Sequence, residues 1–206
     1  MSCQQKIDTD FDLAIQILTD RDRDLNLVIE RFGTPPQWKR EPGFATLIRI
    51  ILEQQVSLAS AQATFKKLNA AVSVLSPENF LALEDSELKA VGFSRQKTRY
   101  GRALASAIIE GELNLNQLKQ LDDFTIRKEL TRIKGVGDWT VDMYLMMALQ
   151  RQNVFPSKDL AVAIAIKELK NLSVRPKPPQ LELIAQPWQP YRTIATKILW
   201  HYYLSR

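Results

Sequence analysis

Apolar residues recur along this chain at intervals of three and four, the spacing that places side chains on one face of an α-helix. The longest such face is formed by Phe44, Leu47, Ile48, Ile51, Leu52, Gln55 and Val56. A second is formed near the C-terminal end by Tyr191, Ile194, Ala195, Ile198, Leu199 and Tyr202. No segment alternates as a half-buried strand does, so the pattern predicts an all-α fold.

Shorter stretches with the same period predict further helices over residues 11–18, 25–32, 60–71, 77–83, 86–91, 95–110, from 115 onward, and 160–169. Proline and glycine clusters predict breaks between them. One of these clusters, Arg175–Pro179, is too short to link domains and is interpreted as a surface connection. The sequence shows no internal repeat and no low-complexity tract.

Length, composition and charge restrict the class of protein. With 206 residues and 45% apolar side chains, the chain can bury a core as one domain or as two closely packed lobes. A formal charge of +5 suits a polyanionic partner without requiring one. Five basic residues lie in an acid-free stretch and indicate either a phosphate-binding face or a solvated helix face. They are Lys89, Arg95, Lys97, Arg99 and Arg102.

The only cysteine is Cys3, which excludes a disulfide framework and a cysteine-ligated zinc ion or iron–sulfur cluster. Residues 1–10 contain no apolar run of the kind that a secretory signal needs, and no span reaches transmembrane length. We therefore expect a protein of the reducing cytoplasm, nucleoid-associated if bacterial, with no membrane partner. Nothing in the sequence demands more than a monomer.

A glycine turn is the strongest candidate for binding an anion. Gly135 and Gly137 flank Val136, so the backbone can take positive φ at both glycines and approach a partner closely. One helix is predicted before the turn, over residues 121–133, and another after it, from Asp138. The second helix would direct its free N–H groups and its dipole toward an anion. Alone, such a turn is more often a tight helix–helix connection that binds nothing.

The apolar positions predicted for the first hairpin helix are Phe124 or Thr125, Leu130 and Ile133. Those of the second are Thr140, Val141, Tyr144, Leu145 and Ala148.

Four ordered blocks resemble one known family. Residues 130–147 are similar to the helix-hairpin-helix motif of the HhH-GPD DNA glycosylase superfamily, and Trp139 matches its 3-methyladenine DNA glycosylase II branch. The other matching blocks are Ile50–Ser57, Val91–Lys97 and Pro187–Arg192 running on to Trp200. Together the resemblance covers most of residues 11–204.

The resemblance implies a two-lobed all-α fold. The hairpin, about residues 121–149, would lie in one lobe and both chain ends in the other, with the active site between the lobes. Residues 1–206 would form a single glycosylase domain, without the additional N-terminal β-rich domain of some relatives.

Asp159 precedes an apolar helix and is by itself an ordinary N-cap candidate. In the resembled family the matching aspartate is catalytic. Loss of an alkylated purine leaves a sugar with oxocarbenium character, which a fixed carboxylate stabilises or supplies with an oriented water. The base is already cationic and leaves readily, so a general acid is dispensable. The single histidine, His201, is interpreted as structural.

The resemblance also implies a base pocket containing Trp139, Met143 and Trp200. Trp139 stands where bifunctional relatives carry a lysine that forms a Schiff base, and an indole cannot do that chemistry. Its electron-rich ring could face a cationic base instead. Both tryptophans are alternatively core residues. Met143 occupies a position that is aromatic in some relatives, which would weaken stacking.

The residues implied in DNA binding are Gln54, Gln55, Ser57, Lys134, Gly135, Gly137 and Thr140. Gln55 is predicted to be the wedge that fills the gap left by a flipped nucleotide, or else a satisfied buried amide. Relatives hold a sodium or potassium ion between hairpin carbonyls and a DNA phosphate. The corresponding main-chain carbonyls belong to Thr131, Ile133 and Val136.

Two further residues depart from the family pattern. Asp138 places a negative charge at the helix start that should hold phosphate, where we expect it to act as N-cap and to weaken the anion site. Glu53 replaces a glycine that commonly precedes the glutamine pair.

The resulting hypothesis is a monofunctional DNA glycosylase that removes alkylated purines, chiefly 3-methyladenine, from double-stranded DNA in base excision repair. It would use no cofactor for the chemistry, no iron–sulfur cluster and no lyase step. The alternatives are a glycosylase for mismatched or oxidised bases, a non-catalytic helix-hairpin-helix module that only grips DNA, and a helical scaffold unrelated to DNA.

Overall fold

A computed structural model of the chain describes residues 3–206, with side chains from residue 10 onward. The side chain of Cys3 lies outside the described part of the structure. So do the other side chains of residues 1–9, in which no secretory signal was expected. Over the described range the chain forms thirteen α-helices, one short 3-10 helix and no strand, so the predicted all-α fold is confirmed.

The helices are α1 (Cys3–Arg21), α2 (Arg23–Phe32), α3 (Phe44–Glu53), α4 (Leu58–Ala71), α5 (Pro77–Ala82), α6 (Asp85–Val91), α7 (Arg95–Ile109), α8 (Leu115–Leu118), α9 (Asp123–Thr131), α10 (Asp138–Met147), α11 (Leu160–Leu169), α12 (Pro178–Ala185) and α13 (Arg192–Ser205). The 3-10 helix spans Gln186–Trp188. None of the described helices is both long and apolar enough to cross a membrane.

The chain divides into two compact units. Residues 3–38 together with Gln150–Arg206 form one, here called the terminal unit. Lys39–Leu149 form the other, called the hairpin unit because it contains α9 and α10.

In the terminal unit, α13 packs against α2 and α11. Apolar side chains from all three helices are fully buried there, which supplies most of the favourable free energy of folding in this unit. They include Leu25, Val28, Val162, Ile166, Ile198 and Leu199.

A polar cluster lies at the edge of this core. The Trp188 indole N–H donates to Asp22 at 2.9 Å, and the Lys170 ammonium donates to Asp24 at 2.9 Å. Burial alone would raise the pKa of Asp22, but the indole hydrogen bond, the charge of Lys170 and two main-chain N–H groups together lower it.

In the hairpin unit, α3 is the central helix and packs against α4, α7 and α10. Its buried face carries Leu47, Ile48 and Ile51, as the spacing predicts. The Gly43 N–H, just before α3, donates to the hydroxyl of Tyr144 on α10 at 3.1 Å. Tyr144 is fully buried, and burial raises its pKa to about 12. Helix α10, which contains much of the candidate site, is thereby anchored in the core.

Three expectations about secondary structure are wrong. Helix α3 ends at Glu53, so its apolar face does not continue to Gln55 and Val56. On α9, Phe124 is 78% exposed and Thr125 only half-buried, so neither of these two expected positions is in the core, and Ile126 is buried instead. Helix α12 begins at Pro178, inside the segment interpreted as a surface connection. Proline fits the first turn of a helix because the N–H it lacks would have no intrahelical partner there.

Candidate active site and DNA-binding hairpin

The turn between α9 and α10 depends on one glycine. Gly135 has φ +92°, and a Cβ built on it would lie 2.0 Å from Cγ of Tyr100 on α7. No larger residue fits without displacing that ring. The Val136 N–H donates to the Ile133 carbonyl at 3.0 Å, and the Val136 side chain is buried. The turn is therefore closed by its own hydrogen bond and packs against the tyrosine of α7.

Gly137 plays a different part. Its φ is −101°, so the expected positive φ at this glycine is wrong. It is the N-cap of α10, and Asp138 is the first residue of the helix, so the expectation that Asp138 is the N-cap is also wrong. A Cβ at Gly137 would meet no heavy atom within 4 Å. The glycine leaves open space beside the helix start, where main-chain N–H groups and the helix dipole favour an anion.

Gln54 joins the end of α3 to the hairpin. Its carboxamide nitrogen donates to the Gly135 carbonyl at 2.9 Å and to the Thr140 hydroxyl at 2.8 Å. An amide nitrogen has two hydrogens, and both are used here. Thr140 is only 1% exposed. The side chains of Gln54 and Thr140, both predicted to contact DNA, thus hold the glycine turn in place.

Gln55 projects from the loop between α3 and α4. It is exposed and has φ +55°, which a non-glycine residue seldom adopts. The alternative interpretation of Gln55 as a satisfied buried amide is therefore wrong. Ser57 caps α4, its hydroxyl accepting the Ser60 N–H at 3.2 Å, so this predicted DNA residue has a structural partner. The chain presents Gln55 at the tip of a short, well-capped turn, as a wedge would require.

Lys97 and Glu53 each make a polar interaction at the end of α3, where this loop begins. The Lys97 ammonium donates to the Leu52 carbonyl at 2.6 Å, and burial lowers the pKa of Lys97. Glu53 accepts from both terminal nitrogens of Arg40, at 3.0 and 2.7 Å. Glu53, which replaces the glycine common in the family, is thus part of an ion pair that fixes the last turn of α3.

The basic stretch is only partly available to a phosphate. Besides Lys97, Arg102 is occupied: it donates to Asp85 at 2.6 Å and to the Leu83 carbonyl at 2.8 Å. Lys89, Arg95 and Arg99 are exposed. These three are the members of the stretch that fit the phosphate-binding interpretation.

A cavity of about 430 Å³ lies in the hairpin unit between the glycine turn and α7. The residues of the predicted ion site, Thr131, Ile133 and Val136, all line it, as do Lys134 and Gln55. Main-chain carbonyls are oxygen donors of the kind that hard cations take. The Ile133 carbonyl accepts one hydrogen bond within the turn, which leaves it a second lone pair. The donor set therefore fits a sodium or potassium ion. Among the described residues no cluster of histidine, cysteine or acidic side chains suits a metal.

Asp159, in the terminal unit, is the N-cap of α11. Its Oδ1 accepts the Val162 N–H at 2.9 Å and the indole N–H of Trp200 at 3.2 Å. Asp159 as a whole residue is 8% exposed. The expected helix-terminal position of Asp159 is confirmed, and the same oxygen binds one of the predicted base-pocket tryptophans. A carboxylate held by two donors from different helices has a defined direction.

The aromatic residues of the predicted base pocket differ in exposure. Trp139, near the start of α10, is half-buried, whereas Met143 is 2% and Trp200 8% exposed. His201 bonds the Phe32 carbonyl at 2.9 Å, in keeping with a structural role. Trp38, which no sequence pattern pointed to, has its ring edge-on to that of Trp200, with the two ring centroids 5.9 Å apart.

Comparison with known proteins identifies the class. The model of the HhH-GPD superfamily of base excision DNA repair proteins matches residues 48–190, which include the glycine turn and Asp159. The chain belongs to this superfamily.

Particular relatives can be named. A DNA-3-methyladenine glycosylase of Schizosaccharomyces pombe is 30% identical over 79% of this chain and 72% of its own length. The Bacillus subtilis protein YfjP is 30% identical over 85% of this chain, which spans only 64% of that protein. The solved structure of the S. pombe 3-methyladenine DNA glycosylase Mag1 in complex with abasic DNA superimposes with a TM-score of 0.86, at 26% identity, covering 91% of this chain and 94% of Mag1.

Proposed function

We propose that the chain is a monofunctional DNA glycosylase that hydrolyses the N-glycosidic bond of alkylated purines, chiefly 3-methyladenine, in double-stranded DNA. The observation that carries this proposal is the Asp159 carboxylate, fixed at the start of α11 by the Val162 N–H and the Trp200 indole. Membership in a base excision repair superfamily and the activities named for its relatives support the same function.

The proposed reaction places the carboxylate beside the sugar. As the bond to the purine breaks, positive charge develops on the sugar ring, and Asp159 stabilises that charge or orients the attacking water. A methylated purine carries its own positive charge and leaves without a proton donor. In this reaction Asp159 supplies the charge, and no cofactor takes part in the chemistry.

The hairpin unit would hold the DNA. Main-chain N–H groups at the start of α10 bind a phosphate, and the open space beside Gly137 admits it closely. A sodium or potassium ion held by the carbonyls of Thr131, Ile133 and Val136 would add positive charge at this phosphate. Gln55, exposed at its turn, fills the gap that a flipped nucleotide leaves.

Trp139 supports a hydrolase without lyase activity. An indole cannot form the Schiff base that precedes strand cleavage. The product is then an intact abasic strand that breaks only after alkali or heat. The binding partner is damaged double-stranded DNA, and the protein acts as a monomer.

Incubation with methylated duplex DNA tests the proposal. Chromatography should detect free 3-methyladenine, the abasic strand should stay intact on a denaturing gel, and borohydride should trap no covalent adduct. DNA binding without base release would identify a non-catalytic module instead. A trapped adduct would show that a lysine acts and that the enzyme belongs to the bifunctional branch.

A further inference from the structure

Trp38 has an unusual backbone conformation for its size. It lies in the irregular segment between α2 and α3 and has φ +46°. A bulky side chain in the left-handed region is a genuine outlier and costs free energy. Such strain persists only where the surrounding structure imposes it, and it is concentrated at functional sites.

The side chain of Trp38 meets only one other aromatic ring in the described part of the chain. Its ring and that of Trp200 are 5.9 Å apart at an interplanar angle of 82°, the edge-to-face arrangement that aromatic quadrupoles favour. Trp38 is half-buried, whereas Trp200 is 8% exposed. The contact therefore restricts an indole that is already inside the terminal unit.

The orientation of Trp200 matters because its N–H points at Asp159. The distance from Nε1 to Oδ1 is 3.2 Å, at the long end for an N–H···O hydrogen bond. A small rotation of the indole about its side-chain bonds would carry the N–H beyond hydrogen-bonding distance. The ring of Trp38 lies edge-on to this same indole, with the two ring centroids 5.9 Å apart.

We propose that Trp38 is a positioning residue of the active site: its ring holds the Trp200 indole at the angle from which the N–H reaches the Asp159 carboxylate. The proposal rests on the proposed function. It explains why the chain accepts a strained tryptophan at this point of the segment between α2 and α3. Trp38 acts through Trp200 and is assigned no contact with the substrate.

Three variants separate positioning from ordinary packing. Trp38→Gly removes the ring and also relieves the backbone strain, since glycine adopts positive φ readily. Trp38→Phe keeps an aromatic edge. Phe32→Ala is the matched control, because Phe32 is a partly buried aromatic of the same unit whose ring lies edge-on to His201 and Tyr202, 6.3 and 6.1 Å away.

Single-turnover release of 3-methyladenine and the dissociation constant for the same duplex are measured for each variant. Trp38→Gly should lower the rate constant roughly 10- to 100-fold, as expected for a misplaced catalytic group, with the dissociation constant unchanged. Trp38→Phe should restore most of the rate. Phe32→Ala should keep the wild-type rate even where its melting temperature falls.

A double-mutant cycle tests the route through Trp200. In a Trp200→Phe background the indole N–H is absent, so adding Trp38→Gly should cause no further loss of rate. Equal rates for the wild type and Trp38→Gly, or fully additive losses in the cycle, would overturn this inference alone. A wild-type protein that releases no base would overturn the proposed function as well.

Discussion

Replacing Gly135 with alanine should destabilise the hairpin unit severely, whereas the same change at Gly137 should not. Gly135 has φ +92° and Gly137 has φ −101°. The Cβ of an alanine at Gly135 would lie 2.0 Å from the Tyr100 ring, whereas at Gly137 it would meet nothing within 4 Å. The two glycines of one motif thus differ: the packing of the turn requires Gly135, whereas we expect Gly137 to leave space for a phosphate.

The magnitude follows from two separate costs. An L-residue held in the left-handed region costs about 1–2 kcal/mol. Forcing a methyl group against the base of an aromatic ring is overpacking, which costs about 1–3 kcal/mol. Gly135→Ala should therefore lower the free energy of unfolding by about 2–5 kcal/mol. Gly137→Ala should stay within about 1 kcal/mol of the wild type.

Urea unfolding followed by circular dichroism measures both variants. Adding Tyr100→Ala to Gly135→Ala should cancel the clash but keep the backbone cost, giving a coupling energy of about 1–3 kcal/mol. In fluorescence polarisation, Gly137→Val should remain folded and bind damaged and undamaged duplexes less well, because its side chain occupies the space that a phosphate needs. A Gly135→Ala protein as stable as the wild type would refute the geometry of the turn. Unchanged DNA affinity of a folded Gly137→Val protein would refute the role of the hairpin in binding.

The remaining predictions concern the glutamine pair, a buried tyrosine and salt. Gln54→Ala removes two hydrogen bonds and should cost about 1–3 kcal/mol of stability and weaken binding to all duplexes. Gln55→Ala should keep the wild-type stability and lose affinity chiefly for duplexes with an abasic analogue. If Gln54→Ala and Gln55→Ala had the same effects on stability and on DNA affinity, the structural role of Gln54 and the wedge role of Gln55 would both be contradicted. Burial raises the pKa of Tyr144 to about 12. The contribution of its protonated hydroxyl to the free energy of unfolding is therefore fully present below about pH 10 and is lost as the pH rises through about 12. Relative to Tyr144→Phe, the wild type should lose about 1.4 kcal/mol per pH unit across that window, and a constant difference in denaturant titrations would disprove the burial argument. Log affinity for DNA should fall linearly with log salt, by about 0.9 per phosphate neutralised, and a salt-independent affinity would exclude phosphate binding.

The sequence was sufficient for the helices and for the position of Asp159. Helical periodicity depends on side-chain burial, and Leu47, Ile48 and Ile51 are buried where the period places them. Asp159 is the N-cap of α11 because a short acceptor side chain precedes an apolar helix. Such features are local, and local patterns are readable in a single sequence.

The features that the sequence could not reveal depend on contacts between distant segments. Gly135 is required because the Tyr100 ring lies where a Cβ would be. The side-chain amide of Gln54 donates to residues more than eighty positions away in the sequence. The end of α3 at Glu53 carries no glycine or proline signal. The left-handed backbone of Trp38 is likewise invisible, because tryptophan has no preference for that conformation.

The most direct test of the account compares base release by the wild type and by Asp159→Asn. Asparagine is nearly isosteric, caps a helix equally well and can still accept the Val162 and Trp200 N–H groups, but it cannot balance positive charge on a sugar. The variant should melt and bind methylated duplex like the wild type and release 3-methyladenine roughly 100- to 1000-fold more slowly. Release at a near wild-type rate would remove Asp159 from the mechanism and contradict the account.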